Sequence, residues 1–193
     1  FVGTEDHALP PDNFQEEPTP VVAHRTSPTN LGLYLLSTMA AHDFGWLGTL
    51  AAVERFEATL GTMNGLERFR GHFYNWYDTY DARPLDLKYI SSVDSGNLAG
   101  HLIALGNSCS DMIKRPLLNL KWTVGIEDSL MLARESLHER RNDRRAQMVS
   151  RKRLDEELDA FSKSLREVST TPSGVMKNLE EFASQAHTLT DIA

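Results

Sequence analysis

The sequence predicts an all-α fold. Two segments of helical length are apolar on nearly every side, three later segments carry apolar stripes at heptad-like spacing, and no strand signal is of comparable strength. A helix that is apolar all round is buried on all sides, so it needs neighbours that a small two-layer bundle does not provide. We therefore expect an inner and an outer ring of helices, of which this chain supplies a part.

Residues 1–30 are predicted to be irregular, because the prolines at 10, 11, 18 and 20 remove backbone donors and disfavour helix in the residues before them. The pattern changes at Ser27, which suits an N-cap, and at Pro28, which suits the first helical position. The first helix then continues through an apolar segment, Leu31 to His42. The predicted domain of ring helices is 31–113.

A second helix follows the glycines at 45 and 48, with Thr49 as its cap and an apolar stripe of Leu50, Val53, Phe56 and Leu60. Its outer face is charged, so this helix is predicted to be amphipathic. A third helix is expected from a cap at Asp94 or Ser95 to about Met112, buried on all sides. Between them, residues 70–90 are predicted to form an aromatic-rich loop.

Residues 114–193 are predicted to form a helical hairpin or a three-helix segment. The three predicted stripes step by three and four residues, which favours side-by-side packing of the helices; they comprise Ile126, Leu130, Ala133 and Leu137, then Leu154, Leu158, Phe161, Leu165 and Val168, then Met176, Leu179, Ala183 and Ala186. Thr171 and Pro172 repeat the signal of a cap followed by proline.

Composition limits the classes of function. With 40% hydrophobic and 24% charged residues, the chain has the composition of a soluble globular protein, and it contains no apolar run long enough to span a membrane. The single cysteine, Cys109, is interpreted as a structural thiol. Because the sequence begins at Phe1 without an initiator Met or a signal-peptide pattern, we expect a piece of a longer protein.

Metal and nucleic-acid functions are not expected. The seven histidines contain neither an HExxH motif nor a pair at i, i+4, so no metal site is predicted. The basic cluster at 140–153 lies in a segment of nearly balanced charge without interleaved aromatic residues. We interpret it as a solvated helix face or a hairpin turn rather than a nucleic-acid site.

The stretch 71–81, GHFYNWYDTYD, combines five aromatic rings with two carboxylates. Sugars present polar edges and apolar C–H faces, so carbohydrate sites combine flat rings with hydrogen-bonding side chains, and residues 12–25 have the same polar character. A competing interpretation is equally open on spacing alone. Phe73, Trp76, Tyr77 and Tyr80 fall at i, i+3, i+4 and i+7, which is also typical of the apolar face of a short helix.

Four phrases of the sequence resemble one family, the cyclic β-1,2-glucan synthases. They are LPPDNFQEEP (9–18), AHRTSPTNLGLYLLS (23–37), ERFRGHFYNWYDT (67–79) and SSVDSGNLAGHLIAL (91–105), in the same order as in that family. The resemblance is close over residues 9–109, whereas the tail from about 114 is interpreted from pattern only.

The resemblance implies a place in a large bacterial inner-membrane protein. Such synthases carry a membrane glycosyltransferase that uses UDP-glucose, then a glucoamylase-like (α/α) toroid that transglycosylates and cyclises β-1,2-glucan. This chain resembles the start of that middle region, which we expect on the cytoplasmic side. The family's catalytic glutamates are expected outside these residues, so the isolated chain is expected to be inactive; Glu16 and Glu17 are candidates, or simply loop charges.

The resemblance and the residue types together give a candidate glucan cleft, with the rest of the same large polypeptide as the other expected partner. Trp76 or Tyr77 would stack on a glucose face, Asp78 and Asp94 would accept from hydroxyls, and Arg25 would hold a carboxylate in place. The full candidate set is Asp12, Arg25, Tyr74, Trp76, Tyr77, Asp78 and Asp94. Structural alternatives are that Asp94 only caps its helix and that Asp78 only pairs with Arg25.

A second function from a different class stays open. The chain would then be a non-catalytic helical scaffold that links the glycosyltransferase and cyclising regions, with residues 114–193 as an interaction hairpin.

Overall fold

The computed structural model describes residues 2–116, 119–139 and 145–192. It is 63% helical, with six helices and only small strands among these residues, so the predicted all-α class is confirmed. The chain forms two compact units, Phe1–Pro116 and Leu117–Ala193. The boundary expected from the sequence lay between residues 113 and 114, three residues earlier.

The strands are pairs of two residues each, and they shape segments that were predicted to be irregular or a loop. The antiparallel pairs are β1 (Phe14–Gln15) with β2 (Val21–Val22), β3 (Arg25–Thr26) with β6 (Tyr77–Asp78), and β4 (Arg68–Phe69) with β5 (His72–Phe73). The aromatic stretch therefore contains strands and turns. The interpretation of 73–80 as one face of a short helix is wrong.

Helix α1 (Pro28–Asp43) begins where the sequence predicted. Ser27 is its N-cap: the Ser27 hydroxyl accepts a hydrogen bond from the Asn30 backbone N–H at 3.2 Å, and Pro28 occupies the first turn. The buried residues include Leu31, Leu35 and Met39. Leu33, however, is 51% exposed, so α1 is not buried on every side within this unit.

Helix α2 (Thr49–Gly65) corrects two details of the prediction. Its N-cap is Gly48, which supplies no side-chain cap, and the Thr49 hydroxyl instead lies 3.2 Å from His42 Nε2. The buried face consists of Ala52, Phe56, Thr59 and Met63, whereas the predicted Leu50 and Leu60 are exposed. The prediction followed the largest side chains. The packed face instead uses two small residues, with Thr59 donating a hydrogen bond to the Ala8 carbonyl at 2.8 Å.

Helix α3 (Ser92–Lys114) is capped by Ser91, whose hydroxyl accepts from the Asp94 backbone N–H at 3.1 Å. The predicted caps, Asp94 and Ser95, both lie inside the first turn. Leu98 and Leu105 are buried, but Ile103 is 67% exposed. The prediction that α3 is buried on all sides is therefore wrong for this unit, because the described residues cover only one of its faces.

Helix α1 packs against both α2 and α3 in the unit Phe1–Pro116. Gly32 permits the approach of α3, since a Cβ at this position would lie 2.3 Å from His101 Nδ1. The core contains Leu9, Leu31, Leu35, Met39, Ala52, Phe56, Met63, Leu66, Tyr77, Leu98 and Leu105, and Cys109 is partly buried against it. Three helices do not close a ring, so the toroid stays a prediction.

The unit Leu117–Ala193 consists of α4 (Lys121–Glu139), α5 (Arg145–Arg166) and α6 (Pro172–Ile192). Helix α5 packs against both of the others, and the core joins Leu130, Leu158, Phe161, Leu165 and Phe182. The stripes predicted for α4 and α5 contribute to this core.

The stripe predicted for α6 is displaced by one residue. Val175 and Phe182 are buried, whereas Met176 is 58% and Leu179 is 40% exposed. Both sets recur at helical spacing, so periodicity alone does not distinguish them. In the buried set, Phe182 stacks on Phe161 of α5, with ring centroids 5.4 Å apart. The cap at Thr171 is confirmed by the hydrogen bond from the Gly174 N–H to the Thr171 hydroxyl at 3.3 Å.

Residues 140–144 of the basic cluster lie outside the described residues. Of the rest, Lys152 and Arg153 are exposed on α5, and Lys152 lies 3.6 Å from Glu156 one turn later. No helix in the described part of the chain is long and apolar enough to cross a membrane.

Candidate functional site

The N-terminal ends of α1 and α3 meet, and a loop between α2 and α3 lies beside them. The Thr29 hydroxyl of α1 donates a hydrogen bond to Asp94 Oδ1 of α3 at 2.6 Å. Asn97, one turn further along α3, donates to the same Thr29 hydroxyl at 3.1 Å. Asp94 lies in the first turn of α3, whose backbone N–H groups favour negative charge, and the Thr29 side chain links its carboxylate to the first turn of α1.

Arg25 lies on β3 and holds a second carboxylate in this region. Its Nη2 and Nε atoms lie 2.9 and 3.2 Å from Asp12 Oδ2. The Asn30 amide donates to the other Asp12 oxygen at 3.1 Å. The prediction that Arg25 fixes a carboxylate therefore agrees with this geometry, and the carboxylate is Asp12 rather than Asp78.

Trp76 lies under the Arg25 guanidinium, which is 4.4 Å from the centroid of the indole ring. Backbone hydrogen bonds on both sides fix the loop that carries this ring: the Leu85 N–H donates to the Trp76 carbonyl, and the Asn75 N–H donates to the Tyr89 carbonyl, each at 2.9 Å. The ring is half-buried. Its position is therefore set by the loop backbone and by a cation–π contact.

The Asn75 side chain connects Trp76 to Asp94. We assign its amide with the oxygen toward the Trp76 indole N–H and the Tyr89 hydroxyl, each at 2.7 Å, because the nitrogen then donates to Asp94 Oδ2 at 2.9 Å. We call Asp12, Arg25, Asn75, Trp76 and Asp94 the Trp76 cluster. It brings together four of the seven predicted residues and one that the sequence analysis did not select.

The other three predicted residues have different surroundings. Tyr77 is fully buried, with its hydroxyl donating to the Glu67 carbonyl at 2.7 Å, and burial raises the pKa of Tyr77 to about 12. Stacking of a sugar on Tyr77 is therefore excluded, since its ring belongs to the core. Tyr74 is half-buried against the same core, and its backbone N–H donates to the Tyr77 hydroxyl at 2.8 Å.

Asp78 stabilises a turn. Its Oδ1 accepts hydrogen bonds from the backbone N–H groups of Tyr80 at 2.7 Å and Asp81 at 3.3 Å. Although Arg25 and Asp78 are paired in the backbone register of β3 and β6, the side chain of Arg25 pairs with Asp12. Asp94 is not the cap of α3, which is Ser91; its carboxylate instead accepts from Thr29 and Asn75.

A second polar group, absent from the sequence prediction, surrounds the buried Asp6. Asp6 Oδ1 lies 2.9 Å from His24 Nδ1 and accepts from the Thr79 hydroxyl at 2.5 Å. Burial raises the pKa of Asp6, but the hydrogen bonds from Thr79 and His24 outweigh it, so the pKa is lowered from 3.8. His24 also stacks on Tyr80, with ring centroids 4.2 Å apart. The sequence separations, 18 and 73 residues, left no local signal.

The two glutamates named as catalytic candidates lie in the loop between two short strands. Glu16 and Glu17 are both exposed between β1 and β2, as expected of loop charges. No group of three or more His, Cys, Asp or Glu side chains that could hold a metal ion occurs within the ranges the structure covers.

Comparison with known proteins gives one informative match. No family model matches this chain. The chain is 42% identical over 194 aligned residues to the cyclic β-(1,2)-glucan synthase NdvB of Rhizobium meliloti strain 1021. The alignment covers 98% of this chain but only 7% of that relative. The resemblance predicted from the four sequence phrases is thereby confirmed: over almost its whole length, this chain matches one segment of a cyclic β-(1,2)-glucan synthase.

Proposed function

We propose that this chain contributes part of the glucan-binding cleft of a cyclic β-1,2-glucan synthase, in the region that transglycosylates and cyclises the glucan, and that the Trp76 cluster is the binding surface. The observation that carries the proposal is the convergence of Asp12, Arg25, Trp76 and Asp94, from separate segments, into one connected cluster. The 42% identity to a cyclic β-(1,2)-glucan synthase supports the choice of ligand.

The chemistry of the cluster suits a pyranose. The indole ring offers an apolar face to the C–H groups of a sugar, the Asp94 carboxylate offers an acceptor to its hydroxyls, and Asp12 holds Arg25 against the ring. Each carboxylate has about four lone-pair sites. Asp94 accepts two hydrogen bonds and retains acceptor capacity, whereas Asp12 already accepts four, from Asn13, from Asn30 and from two nitrogens of Arg25. The proposal places the sugar against the part of the Trp76 ring that Arg25 leaves uncovered.

The proposed role of the chain is binding rather than catalysis. Glycoside chemistry requires two placed carboxyl groups, and we assign no such pair among the described residues. The longer protein is proposed to make cyclic β-1,2-glucan from UDP-glucose at the bacterial inner membrane, with the remaining regions of the polypeptide as partners of this one and with this region on the cytoplasmic side.

The proposal is tested by titrating the intrinsic tryptophan fluorescence of the chain with linear β-1,2-glucan, with a linear β-1,3-glucan as the linkage control. We expect a saturable change with the β-1,2-glucan only, and its loss in Trp76→Ala. A matched control is Trp46→Ala, since Trp46 is an exposed ring just beyond the opposite end of α1, about 24 Å of helix away.

Two outcomes of this titration would contradict the proposal. Binding that survives in Trp76→Ala but fails in Trp46→Ala would move the site to the other end of α1 and overturn the assignment. A chain that is folded by circular dichroism, yet gives no change with either glucan, would contradict a glucan site in these residues.

The scaffold function is the second candidate, and exposed apolar side chains favour it. Leu33 on α1 and Val93, Ile103 and Ile113 on α3 are each more than half exposed, as expected of faces that contact another part of a larger protein. Trp76→Ala in the full-length synthase separates the two candidates. A binding role predicts reduced ring formation with normal UDP-glucose incorporation, whereas a scaffold role predicts no change in either.

A further inference from the structure

The Asn75 side chain is a buried amide with three hydrogen-bonding partners, and two of them belong to the proposed site. Only 6% of the residue is exposed. Its oxygen accepts from the Trp76 indole N–H and from the Tyr89 hydroxyl, and its nitrogen donates to Asp94 Oδ2. A single amide thus supplies an acceptor to the ring and a donor to the carboxylate, which no acidic side chain in its ionised form and no apolar side chain can do.

The backbone at Asn75 is fixed as well as the side chain. Its N–H donates to the Tyr89 carbonyl at 2.9 Å, so Tyr89 holds Asn75 through both its main chain and its hydroxyl. The amide therefore connects a rigid point of the loop to the first turn of α3. It links Trp76 to Asp94 directly, because both residues hydrogen-bond to the same side chain.

A purely structural interpretation would make Asn75 one more satisfied buried polar group. Its partners argue for a more specific role. Without the amide, the indole N–H loses its acceptor, and Asp94 loses the donor on Oδ2 while keeping the one from Thr29 on Oδ1. The ring would then be held only by the loop backbone and the Arg25 contact, and the carboxylate only by Thr29, so no side chain would link the two. None of the five residues of the Trp76 cluster is a member of the apolar core.

We infer that Asn75 is the positioning residue of this site: its amide sets the distance and angle between the Trp76 ring and the Asp94 carboxylate that a glucose unit would contact. The inference rests on the proposed function for its ligand. Its geometric part, control of the Trp76 indole by the Asn75 amide, does not require any glucan.

The geometric part is tested by NMR of the indole N–H resonances in the 193-residue chain. The resonance of Trp76 is identified by its loss in Trp76→Phe. We expect Asn75→Ala to shift this resonance and to speed the exchange of its proton with water, because the acceptor is removed. Asn107→Ala is the matched control: Asn107 is exposed on α3, about 20 Å along the helix from Asp94.

Replacing the amide by a carboxyl group gives a signature that a loss of packing would not produce. In Asn75→Asp the introduced carboxylate faces Asp94, beside the Tyr89 hydroxyl, and two like charges at this separation repel. The introduced group should therefore bind a proton at a pH above that of an isolated aspartate, and the protonated form can again donate to Asp94. We expect the Trp76 indole resonance of Asn75→Asp to titrate and to approach the wild-type position at low pH, while in Asn107→Asp it follows the wild type.

The ligand part is tested by glucan affinity. We expect Asn75→Ala to weaken binding of linear β-1,2-glucan by about tenfold or more, as for loss of a hydrogen bond to a charged group, and Asn107→Ala to leave it unchanged. If the wild-type chain binds no glucan but the indole signatures are as expected, the proposed function fails and the positioning role of Asn75 stands. If the wild-type chain binds glucan and Asn75→Ala binds it equally well, the positioning role is wrong.

The wild-type chain alone can also overturn the inference. A hydrogen-bonded, half-buried indole proton should exchange slowly with water. Rapid exchange of the Trp76 indole proton in the unmodified protein would contradict the hydrogen bond to Asn75, even if both Asn75 variants failed to fold.

Discussion

The two units of this chain are stabilised in different ways. Of the eight buried polar residues among those the structure describes, seven lie in Phe1–Pro116 and one, Ser162, lies in Leu117–Ala193. The first unit contains short strands, loops and long-range hydrogen bonds such as Thr79 to Asp6, across 73 residues. The second consists of three helices around an apolar core that includes Leu158 and Phe161.

This difference indicates where specific chemistry can be located. A buried polar side chain needs partners at defined positions, so it fixes the geometry around it. An apolar stripe needs volume and periodicity, and it tolerates exchange among apolar residues of similar size. The candidate site lies in the unit that depends on polar partners, and the two units should respond differently to mutation.

The largest effect is expected for a charge placed in the core of the second unit. Leu158 is 2% exposed, and an unpaired buried carboxylate is among the few changes that destabilise a protein by about 4 kcal/mol or more. We expect Leu158→Asp to unfold Leu117–Ala193, seen as lost helical signal in circular dichroism of the full chain.

The control for this substitution is Met176→Asp. The sequence pattern placed Met176 in the α6 stripe, but the side chain is 58% exposed, so the change should stay within about 0.5 kcal/mol. Equal destabilisation by the two substitutions would contradict the packing described for α6.

An intermediate effect is expected at Asp6 in the first unit. Because the pKa of Asp6 is lowered from 3.8, the ionised form stabilises the folded chain above that pH, and this contribution is lost as the pH falls through the folded-state pKa. We expect Asp6→Asn to destabilise the chain by about 1–3 kcal/mol at neutral pH, and by less at about pH 3. Urea unfolding at both pH values measures the difference.

The exposed Asp111 on α3 provides the comparison for Asp6. Asp111→Asn removes the same charge from a surface pair with Lys114, 3.5 Å away, which contributes little to stability. If the two variants have the same pH dependence, the buried interaction of Asp6 with Thr79 and His24 does not contribute as described.

The smallest effect is expected at the cap of α1. Ser27→Ala removes the hydroxyl that accepts from the Asn30 N–H and should lower the free energy of unfolding by about 1 kcal/mol. Ser27→Asp should restore most of this stability, since aspartate is also a good N-cap. Thermal unfolding distinguishes them, and an alanine variant as stable as wild type would show that the cap contributes nothing.

The glucan experiments extend the same comparison to binding. Trp76→Ala and Asn75→Ala change the first unit, and the core of the second unit contains neither residue. We therefore expect Leu117–Ala193 to keep its helical signal in both variants. Loss of that signal would show that the folding of Leu117–Ala193 depends on the polar contacts of the first unit.

Local signals in the sequence were sufficient for the helices and for part of the site. Ser27 with Pro28, and Thr171 with Pro172, located two helix starts, and the heptad-like stripes of α4 and α5 located a core. Aromatic and carboxylate residues in one stretch indicated Trp76, and the residue types of Asp12, Arg25 and Asp94 indicated hydrogen bonding. The sequence did not show which of Trp76 and Tyr77 belongs to the core. Adjacent residues in a turn or strand face opposite environments, and nothing in the sequence indicated which of the two faces inward.

The sequence by itself determined the helical class, the starts of α1 and α6 and the resemblance to cyclic β-1,2-glucan synthases, because capping residues and apolar periodicity act over a few neighbouring positions. Only the tertiary structure decided that Tyr77 belongs to the core, that Arg25 pairs with Asp12, and that Asn75 connects Trp76 to Asp94. These pairings bring together side chains from separate segments, and a buried hydrogen bond depends on which donor and acceptor the packed backbone places within about 3 Å of each other.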